Sequence, residues 1–173
     1  DIPSISNIEV IVVDDGSRNN DDLKRLCSAR NWQYIYLETA DAPFSLARAR
    51  NVGIGASNAT YVYFEDADLL HQSNFYTRLI GFGRELERSP FNFAAVPTLF
   101  LTGAASKKLL ASIGDREEFD AVFQHYVDRL PFINPDDPNE LCESFAPVGS
   151  NILVRRDICH HVGLFDEYFN GWG

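Results

Sequence analysis

A parallel, doubly wound α/β sheet is the fold class this sequence predicts, and three observations predict it. Short β-branched and aromatic runs alternate with helical stretches between residues 8 and 101. Two of these runs end in acidic turns, Asp14-Asp15-Gly16-Ser17 and Glu65-Asp66-Ala67-Asp68. A mostly apolar run that stops at turn residues has the pattern of a buried, parallel-type strand.

The elements follow in order. Ile8 to Val13 reads as the first strand. Asn19 to Asp22 offers caps for a helix running to about Arg30. Gln33 to Leu37 is a second strand, and Ser45 to Ala56 a helix rich in small residues. Thr60 to Phe64 is a third strand, followed by a long helix over Ser73 to Arg88. Phe93 to Leu101 is a fourth strand, where Pro97 points to an edge or a bulge. Further on, Asp115 with Glu118 makes a capping box for a helix to about Leu130. Pro131 to Glu140, with three prolines and several acids, is a loop. Ile152 to Val154 is another strand and Asp157 to Val162 a short helix.

Composition narrows the function classes. The chain has 173 residues, a length that suits one domain. Fifteen Lys and Arg stand against 25 Asp and Glu, for a net charge of −10. A nucleic-acid binder needs a basic surface to displace counterions, and a polybasic membrane-surface protein needs one too, so both are disfavoured. No window approaches the ~20 apolar residues of a membrane-spanning helix, and no signal peptide opens the chain. Cys27, Cys142 and Cys159 are far apart and odd in number, which fits reduced core thiols rather than a zinc knuckle or a disulfide framework. These features predict a cytoplasmic domain, with membrane attachment left to segments outside this chain. The sequence contains no Met and stops at Gly171-Trp172-Gly173, the pattern of a piece excised from a longer protein.

The two acidic turns are where chemistry is expected, because ligands of parallel α/β sheets bind at the carboxyl ends of strands. Carboxylates crowded on one sheet edge repel one another unless a cation or donor groups compensate. An Asp-x-Asp turn suits Mg²⁺ or Mn²⁺, which takes one or two carboxylates and completes its shell with water and phosphate oxygens. Each motif alone is also ordinary turn chemistry; the occurrence of both at strand ends favours a site. Between them lies the helix Ser45 to Ala56. Its Gly53 and Gly55 each cost about 1 kcal/mol relative to Ala, which suggests close packing against the sheet or a ligand. Its Arg48 and Arg50 suit pairing with the strand-end acids or binding of phosphate or a base edge, and are otherwise surface arginines. His71, three residues past Asp68, is a further candidate metal ligand, whereas His160 and His161 read as packing or surface residues.

Four blocks in order carry a resemblance: Ile8 to Ser17 (IEVIVVDDGS), Ala49 to Ala56 (ARNVGIGA), Tyr61 to Asp68 (YVYFEDAD) and Val162 to Gly173 (VGLFDEYFNGWG). Together they resemble the family 2 glycosyltransferases with a GT-A fold, a Rossmann-like, mostly parallel sheet flanked by helices. The closing block is similar to galactosyl- and N-acetylgalactosaminyl-transferring members, including chondroitin-type polymerases of polysaccharide biosynthesis. The resemblance implies one partial domain, residues 1–88 forming the nucleotide-sugar half and 89–173 the acceptor-side half. It implies metal-dependent transfer of a sugar, with inversion, from a UDP-sugar to a hydroxyl of a glycan or lipid-linked saccharide. Asp15 would bind the uracil, Asp14 would support that turn, and Arg48 and Arg50 would sit near the nucleotide. Asp66 would contact the ribose or the metal, and Asp68 would hold Mg²⁺ or Mn²⁺ on the diphosphate. Glu167 and Trp172 would line the acceptor side. The general base is implied just beyond Gly173; Asp166 and Glu167 are the nearest acids within the chain. Leu69 stands where relatives carry a third acid. The strand and nucleotide-contacting turn that open the family's domain have no counterpart before Ile8.

Three other readings compete. A phosphoacceptor receiver domain needs a Lys-Pro pair, and none of Lys24, Lys107 and Lys108 precedes Pro. A sugar nucleotidyltransferase shares the fold and metal acids but usually carries a Gly-rich nucleotide loop near its start. A non-catalytic module that only binds nucleotide-sugar or glycan is compatible with a chain lacking its base.

Overall fold

The computed structural model describes residues 8–39, 43–90, 93–95, 103–127 and 151–169. The chain divides into two compact units, one built from Ser4–Val62 and Val154–Gly173, the other from Tyr63–Leu153.

In the first unit, β1 (Ile11–Asp14) pairs in parallel with β2 (Gln33–Tyr36), with Ile11 opposite Gln33 and Asp14 opposite Tyr36. β1 is shorter than the apolar run because its partner sets its length. Gln33 N–H donates to the Val10 carbonyl at 3.0 Å and Leu37 N–H to Asp14 at 2.9 Å, and the ladder ends there. Helix α1 (Asp21–Arg30) joins the two strands. Asp21 and Asp22 in its first turn and Arg30 in its last complement the helix dipole. It ends at Asn31, which adopts the left-handed conformation (φ 54°), with Trp32 N–H closing on the Cys27 carbonyl at 2.9 Å. Helix α2 (Leu46–Ala56) packs on β1 and buries Ile54 completely. Ser45 caps it, its side chain accepting from Arg48 N–H at 3.3 Å. Gly53 does face the sheet, yet a Cβ there would meet Val13 at an ordinary 3.6 Å, and one at Gly55 would meet nothing. The close packing expected of both glycines is therefore absent at Gly55 and relaxed at Gly53.

The division between the units falls within β3 (Tyr61–Phe64) and β5 (Ile152–Arg155). With β4 (Phe93–Ala95) they form a sheet of order β3-β5-β4. Asn151 N–H donates to the Phe64 carbonyl at 2.8 Å and Arg156 N–H to Thr60 at 2.9 Å, so β5 runs antiparallel to β3. The architecture is thus α/β with a parallel pair and one reversed strand. Helix α3 (Phe75–Leu86) packs on β4, and α4 (Gly103–Ala111) on α5 (Arg116–Val127). Phe64, Leu79, Leu86, Leu109, Phe119 and Leu153 are buried here. The start of α3 is held from α5: Asp120 accepts from Ser73 N–H at 3.0 Å and from the Ser73 hydroxyl. Half of the predicted capping box of α5 is present: Asp115 accepts from the Glu117 and Glu118 amides at 3.0 and 3.1 Å, but its own N–H donates to the Ser112 carbonyl at 3.0 Å rather than to Glu118. The short helix α6 (Arg156–His161) follows β5 directly.

The fourth strand extends over Phe93–Ala95; the rest of its expected span, including Pro97, lies outside the described residues, as does the 131–140 loop. Cys27 and Cys159 are free and buried, and burial pushes both thiols up in pKa; Cys142 lies outside the described residues. No helix among the described residues is long and apolar enough to cross a membrane.

Two glycines make opposite predictions. Gly16 has φ +86°, and a Cβ there would overlap the Thr39 hydroxyl. Gly16→Ala is expected to destabilise the chain by at least about 1–2 kcal/mol. Gly55→Ala, with open space around it, is expected to stabilise by about 1 kcal/mol. Urea unfolding midpoints of the two variants should move in opposite directions.

Candidate functional site

Adjacent acids at the end of β1 have different surroundings. Asp14, the last residue of the strand, is buried (5% exposed). Its Oδ1 accepts from Ser17 N–H at 2.9 Å, closing the turn, and its Oδ2 accepts from the Tyr34 hydroxyl of β2 at 2.6 Å. Burial alone would raise the Asp14 pKa; hydrogen bonds from Tyr34, Ser17 and Asn20 outweigh it and hold the carboxyl below its ordinary value. Conversely, burial and the Asp14 carboxylate push the Tyr34 hydroxyl up to about 12.

Asp15 faces helix α2 instead. Its Oδ2 accepts from the Ser45 N–H, the amide of the helix cap, at 2.6 Å. Its Oδ1 accepts from the Arg48 guanidinium at 3.1 Å. Anions are favoured at a helix N-terminus, and Arg48 adds a full positive charge to that field. Two of the carboxylate's acceptor positions are thereby used, out of about four. Arg48 Nε is buried without a hydrogen-bond partner among the described residues.

The next turn of α2 grips a segment far away in sequence. Asn51 Nδ2 donates to the Phe165 carbonyl at 2.9 Å, and its Oδ1 accepts from Phe165 N–H at 2.9 Å. The same Nδ2 lies 2.8 Å from Glu167 Oε1. The Arg50 guanidinium sits 5.3 Å from the centre of the Phe165 ring. Just upstream, Gly163 (φ 90°) and Leu164 (φ 68°) are both left-handed. A leucine held there stores strain of order 1–3 kcal/mol, which the Asn51 contacts counter. Asp166 is engaged locally, accepting from Tyr168 N–H at 2.9 Å. Asp166 and Glu167 are both exposed, and Trp172 lies outside the described residues.

At the end of β3, in the other unit, three acids again separate. Both oxygens of Glu65 accept from the Tyr76 hydroxyl, at 3.2 and 2.9 Å, and His71 Nε2 lies 3.1 Å from Glu65 Oε1. Burial is the main cause of the raised pKa of Tyr76, with the Glu65 charge adding to it. Leu69 N–H donates to the Asp66 carbonyl at 3.3 Å, forming the turn. Among the described residues, neither the Asp66 nor the Asp68 side chain has a hydrogen-bond or salt-bridge partner. No three His, Cys, Asp or Glu groups gather there or elsewhere among the described residues. Two open carboxylates on a strand-end turn fit Mg²⁺ or Mn²⁺, which needs one or two protein ligands when phosphate oxygens supply others. His71 stacks flat on Phe75 and faces Glu65.

The sequence model described as glycosyltransferase like family 2 matches residues 4–173. The chain belongs to that family. A search of curated protein sequences finds no match. As a family 2 glycosyltransferase domain, the chain is a transferase, and the α/β architecture described above is that of the GT-A class.

Within this glycosyltransferase domain the structure brings together Asp15 with Arg48 and Glu167 with Asn51. Asp14 joins Tyr34 rather than an arginine, and Arg50 joins Phe165. Sequence reasoning did not single out Asn51, Tyr34, Ser45 or Glu65. Asn51 lay inside a quoted block, and a polar residue between helix residues otherwise selected for packing was the available signal.

Two outcomes are expected. Because the folded-state pKa of Asp14 lies below its unfolded value, Asp14 contributes stability that is present above the ordinary carboxylate range and lost as pH falls through the folded pKa. Asp14→Asn is expected to cost about 1–3 kcal/mol at pH 7. Its gap to wild type should narrow below about pH 4, as urea titrations at several pH values would show. Asn51→Ala is expected to cost about 1–3 kcal/mol. Hydrogen exchange should accelerate at the Phe165 amide while the Ile35 amide in β2 stays protected.

Proposed function

We propose that this domain transfers a sugar from a UDP-sugar to a hydroxyl of a glycan or lipid-linked saccharide, with inversion at the anomeric carbon. The observation that carries the reading is the unpaired state of Asp66 and Asp68 beside a Glu65 that is already engaged. Two carboxylates close together on one short turn, with no protein donors among the described residues, are open to share a cation.

In this reading Asp15 accepts a hydrogen bond from the uracil N3–H, and its orientation toward α2 is set by Ser45 and Arg48. Asp14 keeps the turn in shape and takes no part in chemistry. Arg48 and Arg50 supply positive charge for the nucleotide. Asp68, together with Asp66, would hold Mg²⁺ or Mn²⁺, which when bound neutralises charge developing on the departing diphosphate. Glu167 and Trp172 orient the acceptor. A carboxylate must take the proton of the attacking hydroxyl. The family resemblance gives that role to an acid following the Gly-Trp-Gly segment, and Asp166 is committed to its own turn.

Calorimetric titration of UDP with Mn²⁺ and then with EDTA tests the reading. Binding should be markedly tighter with Mn²⁺, and Asp68→Ala should remove the metal-dependent part, a loss of at least about tenfold. Equal binding with and without metal, or an unaffected Asp68→Ala variant, would sink it.

A further inference from the structure

The cluster at the end of β3 has a feature that the reading above does not use. Glu65 and His71 stand at the two ends of the Asp66–Leu70 turn, and their side chains meet across it at 3.1 Å. Glu65 is fixed from a second direction by the Tyr76 hydroxyl. The His71 ring is fixed by stacking. It lies on Phe75 at 3.8 Å between centres with 7° between planes, and meets Tyr76 and Tyr63 edge-on at 5.7 and 6.5 Å. Its side chain is only 14% exposed, and its buried Nε2 approaches Glu65 Oε1 as an ion-pair contact at 3.1 Å, outside hydrogen-bond geometry and with no hydrogen-bond partner elsewhere among the described residues.

We propose that His71 is a positioning residue: by bridging to Glu65 it closes the Asp66–Leu70 turn and presents the Asp66 and Asp68 carboxylates as a pair for a divalent cation. The inference rests on the metal-binding reading of those two acids. A turn carrying two like charges tends to open, and tying its ends together removes the freedom to do so before a cation arrives. The expense of ordering the carboxylates is then met by folding, through aromatic packing in which neither carboxylate participates. Groups that orient ligands from behind typically change metal affinity 10–100-fold.

The test uses the full chain and Mn²⁺ itself, followed by electron paramagnetic resonance of the free ion, with UDP added in parallel. Wild type should bind Mn²⁺ and Asp68→Ala should not. If wild type fails to bind it, the metal-binding reading falls and takes this proposal with it. Given wild-type binding, His71→Ala should weaken Mn²⁺ affinity by about tenfold or more. Glu65→Gln should weaken it to a similar extent, while His71→Gln, which keeps an N–H donor for Glu65, should recover most of it. UDP affinity in EDTA should be unchanged in all three. Urea midpoints identify any variant that is unfolded, and the conservative Glu65→Gln decides if His71→Ala is. Wild-type Mn²⁺ affinity in a folded His71→Ala or Glu65→Gln variant would overturn the proposal and leave the metal-binding reading standing. Electron spin-echo measurements should show no nitrogen coupling to bound Mn²⁺. A coupling that disappears in His71→Ala would make His71 a ligand and overturn the positioning role.

Discussion

Helix α2 is the support on which the site of the first unit depends. Its cap amide and Arg48 hold Asp15, and Asn51 holds Phe165 and Glu167. Arg48 and Asn51 are three residues apart and so lie on one face of the helix. The turn after β1 and the segment around Phe165 therefore share a single rigid reference, itself seated on β1 through buried Ile54. If α2 rotated or frayed, both segments would move, since neither has comparable side-chain ties to another helix among the described residues. This explains why a segment with two consecutive left-handed residues, Gly163 and Leu164, keeps one conformation: Asn51 satisfies both the N–H and the carbonyl of the next residue.

Electrostatics imposes the second constraint. A chain with net charge −10 that gathers acids at strand ends must supply each buried carboxylate with donors or leave it in water. Asp14 is served by a tyrosine hydroxyl and a turn amide, Asp15 by a helix-cap amide and an arginine, and Asp120 by the amide and hydroxyl of Ser73. Asp66 and Asp68 take the second course: Asp68 is exposed, Asp66 partly so, and neither side chain has a hydrogen-bond partner among the described residues.

Much of the secondary structure was legible because it follows from periodicity and caps. The β1 and β3 runs, the helix between them and the Asp115 cap of α5 all carry local signals, and all are present. What local pattern could not carry was partnership. The start of β1 depends on where β2 begins, and the reversed direction of β5 depends on pairing with β3. Helix α4 escaped notice: its short Ala/Lys/Leu pattern follows a run that looked like strand, and that run directly adjoins Thr102, the sequence's cap signal just before Gly103. At the candidate site, the acids at the strand ends were legible as a group, but their individual partners were not. Asn51 reaches a residue 114 positions away, and His71, weighed as a metal ligand, faces a glutamate that drew no attention.

The two acidic turns share a rule that sets which carboxylate becomes structural. Successive side chains of a strand point to opposite faces. An acid that ends a strand while still in its ladder must therefore point toward neighbouring elements, and the next one points the other way. At β1 the strand's own acid, Asp14, bonds across the ladder to Tyr34, and Asp15 turns to α2. At β3 the first acid after the strand, Glu65, is taken up by Tyr76 and His71, and Asp66 begins the turn with its carboxylate open. In both places the first acid is held by side chains of neighbouring elements; the second is held by α2 at Asp15 and has no side-chain partner among the described residues at Asp66. Replacing the first acid should therefore disturb the second without touching it, because the first fixes the turn from which the second extends.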